Sequence, residues 1–222
     1  MIGFKALKSM IAELHGEGAT PSALLGRFKY FQRMSFPGGS NAGVGSRVDY
    51  DLSQVLALAL AFEVQETAAA PLRVVRLLRH RWPEIERALV ATWASTEGFG
   101  GEALLLAHSP GALAEMGLAD DEDRVPADAL EAMSAERVVR WLQEPETGGA
   151  PSVYLIDLSR FIRQVAAALL SVAEVPGDDL AERFREMGGS AFGTLDMSKW
   201  VVGKVARPTS EGQFREGLNR QE

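Results

Sequence analysis

The 222 residues fit one large domain or two small ones, and a hydrophobic share of 46% is enough for a sizeable core. The absence of cysteine excludes a disulfide framework, a thiolate nucleophile and a thiolate metal site, and His15, His80 and His108 stand in no metal-ligand spacing. The net charge of -7 argues against a nucleic-acid partner only on average: residues 1–90 hold 11 basic against 8 acidic side chains, the remainder 12 against 22, and screening over about 10 Å makes the local sign the one a phosphate feels.

No continuous apolar run of a signal peptide opens the chain, and no stretch reaches the roughly 18 apolar residues of a membrane span. The expectation is a soluble cytoplasmic protein without a membrane partner. Residues 2–15 carry Ile2, Phe4, Leu7, Met10, Ile11 and Leu14 at helical spacing, and Gly16 and Gly18 end that helix. Thr20 is placed to cap a second helix, 21–34, with Pro21 at the first position, where its missing N–H is not needed. This helix interleaves Arg27, Lys29 and Arg33 with Phe28, Tyr30 and Phe31, and Leu24, Leu25, Phe28 and Phe31 form its apolar stripe.

Residues 37–46 are rich in Gly and small polar side chains, the composition of a hairpin tip that needs positive φ. Arg47 to Tyr50 then read as a short returning strand. Asp51 and Gln54 have the spacing of a capping box at the head of a strongly apolar helix, 52–66. A further helix is expected at 71–81, with Arg73, Arg76, Arg79 and Arg81 as a basic face. Pro83 should interrupt it and start another at 84–95, closed by Glu97 to Gly101.

Beyond that glycine break the pattern alternates. Strands are expected at 102–108 and 152–156, with short helical or turn segments at 110–116 and 120–123. Helices are expected at 134–144, 159–173 and 178–187, with a polar tail from 203 to 222 expected to be disordered. The fold class expected is therefore mostly α with a small α/β part. Residues 1–96 would form a winged helix-turn-helix, and residues 102–200 an α/β module for oligomerisation or partner contact. The long apolar stripe of 159–173 suits either the core or a dimer face.

A basic-aromatic helix, a Pro-Gly loop, an Arg-to-Tyr strand and a capped apolar helix occur in that order over residues 24–64, and together they resemble the MerR-type winged helix. The resemblance implies that Arg27 and Tyr30 contact DNA from the recognition helix, that Arg47 contacts backbone from the wing, and that Tyr50 closes the wing strand. The family's long dimerising helix has no counterpart in this reading, because 84–95 is too short.

Side-chain chemistry adds Gln32, Arg33 and Asn41 as candidates for reading base edges, and Lys29, Ser40 and Arg47 as phosphate contacts. The expected function is sequence-specific DNA binding in transcription control, without catalysis or cofactor. The expected partners are duplex DNA, a second copy of the chain and RNA polymerase. The rival reading is a protein–protein adaptor whose basic-aromatic helix docks on an acidic partner.

The Gly-x-Gly at 43–45 lacks the Gly-Lys-Ser/Thr of a phosphate loop, and His108-Ser109 lacks a hydrolase motif around it. Asp157 and Ser159 are candidate caps for the helix that follows them.

Overall fold

The structure, a computed structural model, describes residues 1–16, 21–38, 49–67, 69–96, 104–110, 130–143 and 153–188. Among these, the fold is mostly helical with two small antiparallel sheets. The elements, in order, are β1 (Ile2–Gly3), α1 (Phe4–His15), α2 (Pro21–Arg33), β2 (Asp49–Tyr50), α3 (Leu52–Gln65), α4 (Pro71–Thr96), β3 (Leu104–His108), β4 (Leu130–Ser134), α5 (Ala135–Gln143), β5 (Tyr154–Asp157), α6 (Leu158–Ser171) and α7 (Gly177–Gly188).

α3 lies at the centre. Ten of its residues, from Leu52 to Val64, are buried, so it has no solvent stripe of the kind a surface helix shows. Its start is held by the full capping box: the Gln54 amide donates to Asp51 Oδ1 at 2.7 Å, and the Asp51 amide donates to Gln54 Oε1 at 3.0 Å. Phe62 is the aromatic hub of this layer. Its ring lies 5.4 Å from Phe28 and 5.5 Å from Phe31, both on α2, and 5.7 Å from the His15 ring at the end of α1.

α4 runs unbroken for 26 residues through Pro83, where an interruption was expected. A proline inside a helix forfeits one hydrogen bond and strains the preceding turn, at about 3 kcal/mol. Here both sides of Pro83 are anchored in the same core. Val74, Val75, Leu77 and Leu78 are buried before it, and Ile85, Leu89 and Trp93 after it. Long-range packing therefore outweighs the local penalty. The resulting helix has the length that was expected to be missing, but its apolar side is turned into this chain's own core.

β4, β3 and β5 form a three-stranded sheet in that order, both pairings antiparallel, with Leu106 opposite Ala132 on one side and Ile156 on the other. Alternation of side chains sends Leu106, Leu130 and Ile156 into the main core. Ala107 and Met133 face the other way and meet Val138 of α5 in a small second cluster. β4 was not foreseen: LEAMS has no sustained alternation and runs directly into α5.

α5 is capped by Ser134, whose Oγ accepts from the Arg137 amide at 3.2 Å. α6 is capped by Asp157, whose carboxylate accepts from the Arg160 amide at 3.0 Å. The apolar stripe of α6, Leu158, Phe161, Ile162, Val165 and Leu169, is buried within the chain. α1 and α4 both pack on α6, and α4 also packs on α7, where Trp93 stacks on Phe184 at 3.9 Å. One hydrophobic core thus runs from Ile2 to Phe184, across the point at residues 96–102 where two modules were expected to meet.

No helix among the described residues is long and apolar enough to cross a membrane. The segments 110–116 and 120–123 and the tail from 203 onward lie essentially outside the described residues.

Candidate nucleic-acid interface

α2 separates its side chains by chemistry. Leu24, Phe28 and Phe31 are buried, while Ser22, Ala23, Gly26, Lys29, Tyr30 and Arg33 are exposed. At 100° per residue, the exposed set falls within an arc of about 120°. The N-terminal half of that arc is small: a Cβ added at Gly26 would meet nothing within 4 Å. The C-terminal half carries two cations and an aromatic ring, with the Arg33 guanidinium carbon 5.6 Å from the Tyr30 ring centroid. Such a stack holds a flexible arginine in a defined position.

Two predicted residues lie on the flanks of the arc. Arg27 is half-buried and donates from Nη1 to Glu66 Oε1 at 3.0 Å. Gln32 lies on the other flank, and its Nε2 donates at 3.4 Å to the hydroxyl of Tyr50. Tyr50 itself is 1% exposed, which puts its ring in the core and its hydroxyl at the service of Gln32, not of a ligand in solvent. Ser40, Asn41 and Arg47 lie outside the described residues, as does most of the loop at 37–46. Asp49 and Tyr50, expected to close a hairpin, pair with Ile2 and Gly3, two residues expected to be helical.

The exit from α2 is clamped by residues that the sequence reading did not single out for that role. Arg79 of α4 donates to the carbonyls of Met34 and Ser35, just past the last turn of α2. Phe36 is buried and packs on Phe31 at 5.8 Å. Gln54 Nε2 donates to the Gly38 carbonyl at 2.7 Å. Ser35 adopts a φ of 52°, the left-handed conformation that often closes a helix. Arg79 is thus engaged in structure, and Arg81 pairs with Glu84 at 3.1 Å. The basic face expected on α4 is partly committed to the fold.

Two buried histidines bear on pH behaviour. Burial pushes the His15 pKa down to about 4, against a smaller upward pull from Glu66. His15 Nδ1 lies 3.8 Å from Glu63 Oε2, but a neutral imidazole makes this proximity and not an ion pair. The Glu63 carboxyl is itself pushed up, first by burial and then by Glu66. His108 is stacked on Tyr154, and burial lowers its pKa to about 4 as well.

A hollow of about 590 Å³ is lined by Asp51, Glu86, Asp179, Glu182 and Glu186 together with Arg183 and the apolar Met1, Leu52 and Met187. Its acidic wall disfavours anions, and none of His108, Asp157 or Arg160 lines it. Among the described residues, no group of three or more His, Cys, Asp or Glu side chains is arranged to hold a metal ion.

No family model, curated protein or solved structure matches this chain.

Proposed function

We propose that α2 is the reading helix of a winged helix-turn-helix DNA-binding regulator, and that residues 21–50 dock on duplex DNA. The observation that carries this reading is the exposed arc of α2. It has a small-residue N-terminal half that admits close approach, followed by Lys29, Tyr30 and Arg33, all on a helix whose other side is locked into the core. A major groove accepts one helix and rewards short side chains where the backbone comes nearest the bases. Arg33, steadied by Tyr30, is the base-reading group, with the two acceptors of guanine as its natural target. Lys29 is a phosphate contact.

Arg47 and Ser40 are the further proposed phosphate contacts, and Asn41 a further proposed base contact. Tyr50 and Gln32 brace the surface from behind through their mutual hydrogen bond. The clamps from Arg79 and Gln54 favour the same reading, because a reading helix needs a fixed exit angle into its wing. The chain would act as a dimer on a palindromic operator, with RNA polymerase as the downstream partner.

The test is retention of a mixed-sequence duplex at low salt, followed by selection of preferred sites. Several phosphate contacts make the logarithm of affinity fall linearly with the logarithm of salt. Arg33→Ala should flatten the sequence preference. Lys29→Ala and Arg47→Ala should each weaken binding evenly across sequences. No retention of duplex at low salt, or equal and negligible effects of all three substitutions, would sink the proposal.

A further inference from the structure

Arg27 stands at the edge of the exposed arc, where a helix lying in a groove meets the phosphates of the groove wall. Its guanidinium is already held: Nη1 donates to Glu66 Oε1 at 3.0 Å. Glu66 is the C-cap residue of α3, so this carboxylate is fixed to the most deeply buried helix of the molecule. Both partners remain solvent-accessible, and an exposed ion pair is weak enough in water to be exchanged for another anion.

We propose that Glu66 is an intramolecular competitor for phosphate, a carboxylate that holds Arg27 until a correctly docked DNA backbone displaces it. The inference rests on the duplex-DNA reading of α2 given above. Its effect is on specificity. An unpaired arginine adds to binding of any polyanion, because the sequence-independent part of affinity comes from phosphate neutralisation. An arginine tied to its own carboxylate adds little to a loose encounter, and contributes fully only when α2 is seated closely enough for phosphate to replace the carboxylate. A like charge placed against wrong partners is a common device for discrimination.

The surrounding charges fit this role. Glu63, one turn earlier on α3, also faces the cluster, together with His15 from α1 and Arg160 from α6. The His15 side chain is buried and stays neutral near pH 7, so Arg160, which acts on Glu63, is the cation on that side of the cluster.

The experiment uses the full chain in four forms: wild type, Glu66→Gln, Arg27→Gln and the double variant. Each is titrated with a mixed-sequence duplex between about 50 and 200 mM salt. Glu66→Gln should bind about two- to fivefold tighter at the low end, the range that an exposed ion pair spans. Its salt dependence should steepen by about 0.9 in slope, the signature of one further phosphate contact. The double variant should bind like Arg27→Gln alone.

If the gain from Glu66→Gln survives in the Arg27→Gln background, it reflects only the loss of a negative charge and the proposal is overturned. Wild-type binding with no gain from Glu66→Gln removes the competitor role and leaves the DNA reading intact. Absence of duplex binding by folded wild type and folded Glu66→Gln alike removes both. Circular dichroism establishes folding in each case, and neither substituted side chain belongs to the core.

Discussion

α2 and α3 are neighbours of similar length that meet through the same three phenylalanines, yet they divide their surfaces in opposite ways. α3 is buried on nearly every side, from Leu52 to Val64. α2 buries one stripe and leaves a coherent arc in water. The contrast separates a helix committed to the core from one that keeps an open side, which is the side the DNA proposal uses. α3 places nearly all of its surface in the core, and α2 is held against α3 and α4 by one side only.

The largest expected effect tests the α3 side of that contrast. Phe62→Ala removes the ring that joins α1, α2 and α3, and should lower unfolding stability by about 3–5 kcal/mol in urea titration. A loss below about 1 kcal/mol would mean that α3 is not the centre of the core.

Acidification comes next. His15 and His108 have folded pKa values near 4, below the unfolded value of 6.5. Between those values the unfolded chain binds more protons, so stability rises with pH and is lost as pH falls from about 6.5 towards 4. Each histidine can contribute a slope of up to about 1.4 kcal/mol per pH unit. His15→Leu should flatten part of that dependence in thermal melts across the same range, and an unchanged profile would disprove the assignment.

A smaller effect is expected at the head of α3. Asp51→Ala removes the cap and should cost about 1 kcal/mol, measured by chemical denaturation. The smallest prediction is also the one that best separates the two helices. Gly26→Ala lies on the solvated arc with open space around it, and should raise stability by about 0.5–1 kcal/mol. On the DNA reading, the same change should weaken duplex binding. A variant that is more stable and binds equally well would show that close approach at Gly26 is not used.

Much of this is legible in the sequence. The capping box at Asp51 and Gln54, the Pro21 start and the apolar stripe of α2 are local patterns that the tertiary packing leaves in place. Pro83 misled because its penalty is local, whereas the packing that overrides it comes from residues on both sides along 26 positions. β4 was missed because a five-residue strand is specified by the partner it pairs with, here β3, more than by its own sequence.

The candidate site was legible in part. Counting residues puts Arg27, Lys29 and Tyr30 opposite the apolar stripe; Lys29 and Tyr30 are exposed, whereas Arg27 is half-buried on the flank, and Tyr50 could not be recognised as core. Nor could Arg79 be recognised as a clamp, since its acceptors lie 45 and 44 residues away.

The sequence by itself determined where most of the helices begin, which of their stripes are apolar, and that the net positive charge sits in the first 90 residues. These follow from backbone geometry and side-chain type within a few turns. Only the tertiary structure decided which arc of α2 stays in water, that Arg27 already has a carboxylate partner in Glu66, and that one core runs from Ile2 to Phe184. Burial and charge pairing are sums over residues distant in the chain, and no local pattern contains them.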